Sequence, residues 1–213
     1  MSEDSKRIVR RGYDRMANRY ASWSGAIQDE PRGRLVDEFV ENLGDHARVL
    51  DLGCGSGIPS TQALARRFRL VGVDASEVQL KLARRNVPQA EFIHTDFTEL
   101  DLPTASFEGV VALYSVSHVP RDEHAALFAK VHRWLVPGGL FLATLGAEDS
   151  PDWTGTWLGE QMFFSSHGAD TNRNLLRAAG FDLDHDEIAV TREPEGDVPF
   201  LWVIARSRGQ GIG

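Results

Sequence analysis

Short apolar runs alternate with amphipathic segments through the middle of the chain. Segments 60–68, 76–86 and 121–135 carry apolar residues at three- and four-residue spacing, which predicts helices, and Ser76 suits an N-cap. Apolar runs bounded by Gly, Asp or Pro lie at 48–52, 70–73, 91–93, 110–113 and 140–143. Because such runs are typical of buried parallel strands, the pattern predicts an α/β fold with helices on both faces of the sheet.

Two helices are predicted before the first strand. Residues 4–22 place apolar side chains, among them Met16 and Ala17, on part of one helical face, and a second helix is expected from Pro31 to Leu43. The partly apolar face of the first helix predicts that it lies over the body of the domain. Residues 1–44 are therefore interpreted as an N-terminal helical cap, or lid.

The pattern changes after the fifth strand. Segment 146–170 lacks a strong period but holds more aromatic bulk than a solvated loop needs, so we interpret it as a cover over a substrate. A helix is expected over 171–179, where a glycine ends it. Strands at 185–191 and 198–207 follow, and the turn residues between them predict an antiparallel hairpin.

Length and composition restrict the class of protein. The 213 residues suit a single domain over 1–213, and 42% hydrophobic with 25% charged residues are ordinary globular values. The net charge of −8 provides no overall field that would attract nucleic acid, and no apolar run is long enough to span a membrane. Cys54 has no partner for an internal disulfide, and the N-terminus lacks the apolar run of a signal peptide, so a cytoplasmic location is expected.

A glycine-rich loop follows the first strand. Residues 49–57 read Val-Leu-Asp-Leu-Gly-Cys-Gly-Ser-Gly, which allows positive φ angles and close approach of a ligand to the backbone, although a tight turn without a ligand is the alternative. The spacing is G-x-G-x-G, with Ile58 where dinucleotide-binding loops have their third glycine. Asp51 would repel a phosphate and attract an ammonium or sulfonium group. The loop therefore favours a cationic ligand.

Two further acids follow the second and third strands. The carboxyl ends of parallel strands share one sheet edge, so Asp74 and Asp96 are expected beside the glycine loop. Asp74 could accept hydrogen bonds from both hydroxyls of a ribose, and Asp96 from an adenine amino group while Phe97 packs on the base. Either acid alone is more often a turn or cap residue. Together with Asp51 they indicate a nucleoside site.

These residues resemble the class I S-adenosylmethionine-dependent methyltransferases. The resemblance covers about residues 10–145 and depends on motifs at 49–57, 73–76, 95–97, 107–115 and 135–140. It implies a Rossmann-like, seven-stranded, mostly parallel sheet whose last strand is inserted antiparallel, as the terminal hairpin suggests. It also implies S-adenosylmethionine as cofactor and S-adenosylhomocysteine as product.

The resemblance assigns cofactor contacts residue by residue. Asp51 would contact the methionine end of the cofactor, and Tyr13 and Tyr20 resemble the N-terminal tyrosines that cap that end in ubiquinone-biosynthesis-like relatives. Cys54 is expected to act as a small residue beside the cofactor and not as a reactive thiol. The other residues expected to contact the cofactor are Gly53, Gly55, Asp74, Ala75, Asp96, Phe97, Leu113 and Ser115.

Methyl transfer is a displacement on a carbon already activated by a positive sulfur, so positioning and water exclusion supply much of the catalysis. A general base helps where the acceptor is a hydroxyl or a protonated nitrogen, and histidine suits that role. The candidates are His118, which could instead bind cofactor or substrate, and His167, which could instead be an ordinary loop residue. Trp153, Trp157 and Met162 are the expected substrate-binding residues, the tryptophans sharing one face if their segment is helical.

The acceptor is expected to be a small, partly apolar molecule, with O-methylation as the first expectation and N-methylation as the second. Enzymes that methylate nucleic-acid bases typically have Asn or Asp, two prolines and an aromatic residue where residues 113–116 read Leu-Tyr-Ser-Val, so no nucleic-acid partner is expected. A nicotinamide-dependent oxidoreductase and a non-catalytic cofactor-binding protein of the same fold are the alternatives. No metal-ligand spacing such as C-x-x-C is present, and a monomer or homodimer is expected.

Overall fold

The computed structural model describes residues 2–27, 31–194 and 196–209; the remaining positions of the predicted cap, domain and hairpin turn lie outside it. The helices of this part of the chain are α1 (Ser2–Ser24), α2 (Arg32–Glu41), α3 (Ser60–Leu64), α4 (Glu77–Asn86), α5 (His124–Trp134) and α6 (Ala169–Ala178). Its strands are β1 (Arg48–Leu52), β2 (Arg69–Asp74), β3 (Glu91–His94), β4 (Phe107–Ala112), β5 (Leu135–Gly146), β6 (Ser150–Trp157), β7 (Glu160–Ser166), β8 (Phe181–Glu193) and β9 (Gly196–Ser207).

Seven strands form one sheet in the order β3-β2-β1-β4-β5-β9-β8. Strand β9 pairs antiparallel with β5 and β8, and the other neighbouring strands pair parallel. This confirms the predicted Rossmann-like sheet with its last strand inserted antiparallel. The chain moves outward from β1 to β3 on one side and returns through β4 on the other, so a crevice opens at the carboxyl ends of β1 and β4.

The core lies on both faces of this sheet. On one face, Phe128 and Trp134 of α5 and Leu176 of α6 pack on the strands, all fully buried. On the other, Leu35 and Phe39 of α2 pack with residues of α3 and the strands. Strands covered on both faces must be apolar throughout, which is why they appear in the sequence as continuous apolar runs.

Helix α1 lies over the body of the protein, as predicted. Met16 is fully buried and Ala17 nearly so. Gly12 faces the β6–β7 hairpin so closely that a Cβ there would lie 2.2 Å from the Sδ of Met162. The lid helix is therefore held against the hairpin by close packing. No helix in the described part of the chain has the length and apolarity needed to cross a bilayer.

Two local predictions are wrong. The helix expected over 60–68 is shorter, because α3 ends at Leu64 and the chain turns so that Phe68 can pack on Phe39, with ring centres 6.4 Å apart. Segment 146–170, where a helix was one possibility, contains the antiparallel strands β6 and β7. Their two-residue turn, Leu158-Gly159, has positive φ at both positions, as right-twisted hairpins prefer.

Candidate functional site

A cavity of about 90 Å³, here called the edge cavity, opens at the carboxyl ends of the parallel strands beneath α1. Ten of the residues predicted from the sequence to contact the cofactor line it together. They are Tyr13, Tyr20, Gly53, Gly55, Asp74, Ala75, Asp96, Phe97, Leu113 and Ser115. The other two, Asp51 and Cys54, line an adjoining pocket that shares Gly53 and Gly55 with the edge cavity and is here called the glycine-loop pocket.

The glycine loop needs its glycines for two separate reasons. Gly53, Gly55 and Gly57 have φ angles of 78°, 55° and 81°, a region that side chains disfavour. At Gly53 there is also no space, since an added Cβ would lie 2.4 Å from the Cβ of Ser115. The N–H groups of Gly53 and Cys54 both donate to the carbonyl of Val73, which joins the loop to the end of β2.

Asp74 connects the loop to the start of α4. One carboxylate oxygen accepts from the N–H of Gly55 and the other from the N–H of Ser76, both at 2.8 Å. Burial raises the pKa of Asp74 to about 6, although these two N–H donors oppose the shift. The carboxylate is thus held rigidly at the cavity wall.

Asp51 lies deeper, at the end of β1. It is buried, and the hydroxyl of Thr61 in α3 donates to it at 2.7 Å. Burial raises its pKa to about 6, against the effect of the Thr61 hydrogen bond. Burial also raises the pKa of the neighbouring Cys54 well above its ordinary value, so this side chain is a neutral thiol at neutral pH.

Asp96 has a structural role as well as a place on the cavity wall. Its carboxylate accepts from the N–H and the hydroxyl of Thr98, both at 2.8 Å, and caps the short helical turn at 97–99. Lys6 of α1 donates to the same Thr98 hydroxyl at 2.8 Å. Asp96 therefore caps this turn and lines the cavity at the same time.

His118 joins the lid helix to the hairpin. Its Nδ1 lies 2.9 Å from the carbonyl oxygen of Phe163 in β7, and its Nε2 lies 2.8 Å from the hydroxyl of Tyr13 in α1. Because a carbonyl only accepts, Nδ1 carries the proton, and Nε2 of the neutral ring accepts from Tyr13. Burial lowers the pKa of His118 to about 4 and raises that of Tyr13 well above 10, so both groups are neutral near pH 7.

The lid helix makes a second contact with the site, which the sequence analysis did not predict. Asp14 of α1 accepts from the hydroxyl of Ser76 at 2.7 Å. Ser76 is the predicted N-cap of α4, and its hydroxyl also accepts from the N–H of Gln79. The lid is therefore attached beside the Asp74 loop. No motif could have revealed this, since 62 residues separate the two partners.

A second cavity of about 270 Å³, the aromatic cavity, adjoins the first. Tyr13, Tyr20, Tyr114 and His118 line both cavities and so mark their junction. Tyr114 follows β4 with a φ of +57°, an unfavourable angle for a residue with a bulky side chain. The aromatic side chains lining this second cavity, apart from the junction pair Tyr13 and His118, are Tyr20, Trp23, Tyr114, Trp157, Phe164 and Phe200.

The predicted substrate-binding residues separate in the structure. Trp157 lines the aromatic cavity, but Trp153 lies outside its described lining and is 46% exposed. Four residues span about 13 Å along a strand and about 6 Å along a helix, so the strand holds the two tryptophans farther apart than a helix would. Both rings nevertheless contact Phe164, with ring centres 6.0 Å away for Trp153 and 5.5 Å away for Trp157. Met162 is fully buried against α1 and is also outside the described lining.

His167 lies at the base of the hairpin. Its Nε2 donates to the carbonyl of Arg121 at 3.0 Å, and its ring packs edge-on against His124. It is not among the described residues that line the edge cavity or the aromatic cavity. This position explains His167 as a residue that holds the hairpin in place, and it removes the basis for a catalytic role.

Arg32 of α2 is a site residue that sequence reasoning missed. It lines the glycine-loop pocket and the aromatic cavity, and its guanidinium carbon lies 5.1 Å from the centre of the Tyr114 ring. Arg suits this position better than Lys, because a planar guanidinium stacks on an aromatic ring. Its position at the start of the second predicted helix, within the predicted cap, is the feature of the sequence that could have indicated a site residue.

Comparison with known proteins agrees with this geometry. A profile described as a methyltransferase domain matches residues 49–139, from β1 into β5. This match supports the resemblance of residues 49–139 to the class I S-adenosylmethionine-dependent methyltransferases. The chain is similar to trans-aconitate 2-methyltransferase of Acidovorax ebreus, with 40% identity over 126 residues, 55% of this chain and 47% of that protein.

A second protein similar to this chain is 27-O-demethylrifamycin SV methyltransferase of Amycolatopsis mediterranei. The identity is 31% over 160 residues, which cover 65% of this chain and 58% of that protein. The chain thus spans about half the length of these curated relatives.

The fold of this chain is similar to that of a Burkholderia thailandensis 1,6-didemethyltoxoflavin-N1-methyltransferase, solved with 1,6-didemethyltoxoflavin and S-adenosylhomocysteine. The TM-score is 0.73, with 98% of this chain and 91% of that chain covered. At 22% identity this likeness shows the fold alone.

Proposed function

We propose that this protein transfers the methyl group of S-adenosylmethionine to a small-molecule acceptor, with oxygen as the first candidate atom and nitrogen as the second. The observation that carries the proposal is the pair of adjoining cavities, one bounded by carboxylates at strand ends and one by aromatic rings, which meet at Tyr13 and His118. When bound, S-adenosylmethionine supplies an electrophilic methyl carbon on a positively charged sulfur. The acceptor would enter from the aromatic cavity.

The residues present suit this cofactor in charge and hydrogen bonding. We assign Asp74 to the ribose hydroxyls, because its fixed carboxylate faces the edge cavity. Asp96 and Phe97 are assigned to the adenine. In the glycine-loop pocket, Asp51 offers a carboxylate for the ammonium of the methionine moiety, and Arg32 a guanidinium for its carboxylate.

His118 is proposed to act at the junction as a hydrogen-bond acceptor. Its neutral Nε2 takes the hydrogen bond of Tyr13, and the Tyr13 oxygen, which also hydrogen-bonds with Tyr20, keeps a lone pair to accept from an acceptor hydroxyl or amine. The pair can orient the nucleophile and receive its proton as the transfer proceeds. The low pKa of His118 makes it a weak base, so orientation is its larger contribution.

The lid and the hairpin are proposed to close the site against water. Residues 1–44 would act as the cap and 146–170 as the substrate cover of one domain, since Tyr13, Asp14 and Phe163 tie both to the cavity walls. A cytoplasmic location, a monomeric or dimeric state and the lack of a nucleic-acid partner stay predictions of the sequence.

Isothermal titration calorimetry with S-adenosylmethionine, S-adenosylhomocysteine and NADH tests the cofactor. Mass spectrometry of a broad acceptor panel incubated with S-adenosylmethionine then tests for a mass gain of one methylene. The proposal expects both sulfur compounds to bind, NADH not to bind, and at least one acceptor to be methylated. Binding of NADH alone would favour the oxidoreductase. Cofactor binding without any methylation would favour the non-catalytic binding protein.

A further inference from the structure

The aromatic side chains that line the aromatic cavity indicate which kind of acceptor it can bind. One group of rings comes from α1 and the hairpin: the centres of Trp23 and Trp157 are 5.0 Å apart, and those of Trp157 and Phe164 are 5.5 Å apart, both edge to face. A second group comes from the sheet, where Tyr114 and Phe200 lie 5.0 Å apart, also edge to face. A cavity bounded by ring faces and ring edges suits a flat aromatic guest, which continues the same packing.

The charges of the cavity act against an anionic guest. Among the described residues of its lining, Glu148 and Glu193 carry carboxylates and Arg32 carries a guanidinium, which lies over the ring of Tyr114. The balance is one negative charge, in a space that also adjoins the buried Asp74. A polycarboxylate would enter against this charge and would leave apolar ring surface without a partner.

The polar junction of the two cavities selects a group on that guest. Tyr13 and His118 form the junction, and the Tyr13 oxygen, which also hydrogen-bonds with Tyr20, keeps a lone pair for a hydroxyl from the aromatic side. A ring hydroxyl would therefore be held at the boundary with the edge cavity while the ring lies between the aromatic walls.

We propose that the acceptor is a flat aromatic compound with a ring hydroxyl and no carboxylate, a substrate class that differs from the tricarboxylate named for the trans-aconitate relatives. The proposal rests on the proposed methyltransferase function. The phenol oxygen gains the methyl group as the donor's sulfur–carbon bond breaks with its electron pair on sulfur. The phenol proton leaves through the Tyr13 hydroxyl toward Nε2 of His118.

Calorimetry on the full chain saturated with S-adenosylhomocysteine tests the acceptor class by binding. The probes are 2-naphthol, its saturated analogue decahydro-2-naphthol and the anion trans-aconitate. We expect 2-naphthol to bind at least tenfold more tightly than either of the others. Comparable or tighter binding of the saturated or anionic probe would overturn the proposal.

Two tryptophans of one hairpin provide a matched pair of variants. Trp157→Leu removes a ring from the cavity wall and is expected to weaken 2-naphthol binding about tenfold. Trp153→Leu, at a half-exposed position outside the described lining whose ring also packs on Phe164, is expected to weaken it by less than about threefold. Equal effects of both substitutions would contradict the proposed seat of the ring. Loss of S-adenosylhomocysteine binding by the unmodified chain would instead refute the proposed function, so the two failures are distinguishable.

Discussion

Replacing Asp74 with Asn removes a charge from the edge cavity without changing its volume. The carboxylate accepts one backbone N–H on each oxygen, and the Asn side chain has only one oxygen. The variant therefore leaves one N–H without its acceptor and deprives the ribose of a charged partner. A hydrogen bond to a charged group contributes about 1.5–3 kcal/mol, so the affinity for S-adenosylhomocysteine should fall about 10- to 150-fold.

The stability of the same variant should change far less. Raising the pKa of Asp74 from 3.8 to about 6 corresponds to a folding cost of about 3 kcal/mol for the ionised side chain at pH 7. Asn removes that cost while it loses hydrogen bonds of similar total value. The free energy of unfolding should therefore stay within about 2 kcal/mol of the parent protein.

Calorimetry at pH 7.5 and urea denaturation measure the two effects separately. Asp45→Asn is the matched control, because Asp45 pairs with Arg67 on the surface and is outside the described linings of the three site cavities. It should keep the parent affinity. An unchanged affinity in Asp74→Asn would refute the ribose assignment, and so would an equal loss in both variants.

Three further outcomes are expected. Asp51 and Asp74 both have pKa values raised to about 6, so both carboxylates become protonated below that pH, which relieves the folding cost of their burial. The affinity for S-adenosylhomocysteine, measured by calorimetry, should therefore fall at least tenfold between pH 7.5 and pH 5. An affinity that does not change with pH would contradict this prediction. Gly53→Ala should lower the melting temperature more than Gly138→Ala, since both have φ near +79° but only Gly53 also lacks space. Phe141→Ala should reduce the free energy of unfolding in urea by about 3–5 kcal/mol, because the ring is fully buried; a loss below 1 kcal/mol would contradict its place in the core.

The main sheet could be predicted from the order of apolar runs. A parallel strand covered by helices on both faces has no polar side, so an uninterrupted apolar run such as 140–143 is enough to indicate a buried strand. Turn residues and a short connection were enough to predict the β8–β9 hairpin, since two strands joined by a short turn pair with each other. The glycine loop and the acids at strand ends are equally local, because the carboxyl ends of parallel strands share one edge.

The aromatic cavity and the contacts of His118 depend on residues that are far apart in the sequence. The pairing of Tyr13 with His118 spans 105 residues, and that of His118 with Phe163 spans 45. The hairpin of β6 and β7 has a Leu-Gly turn that carries little turn signal, and its partner surface is the lid helix, which no local pattern specifies. Trp153 and Trp157 show the consequence, since the same spacing places them together on a helix and about 13 Å apart on a strand.

Local periodicity and residue type thus determined the layers, the alternation of strands and helices and the chemistry suited to a cationic nucleoside. Tertiary structure decided which aromatic residues form the second cavity, which histidine faces it, and where Arg32 lies. The physical reason is that burial and hydrogen bonding along a strand are set by neighbours in sequence. A cavity between a lid, a hairpin and a sheet edge is set only by how those separate elements pack.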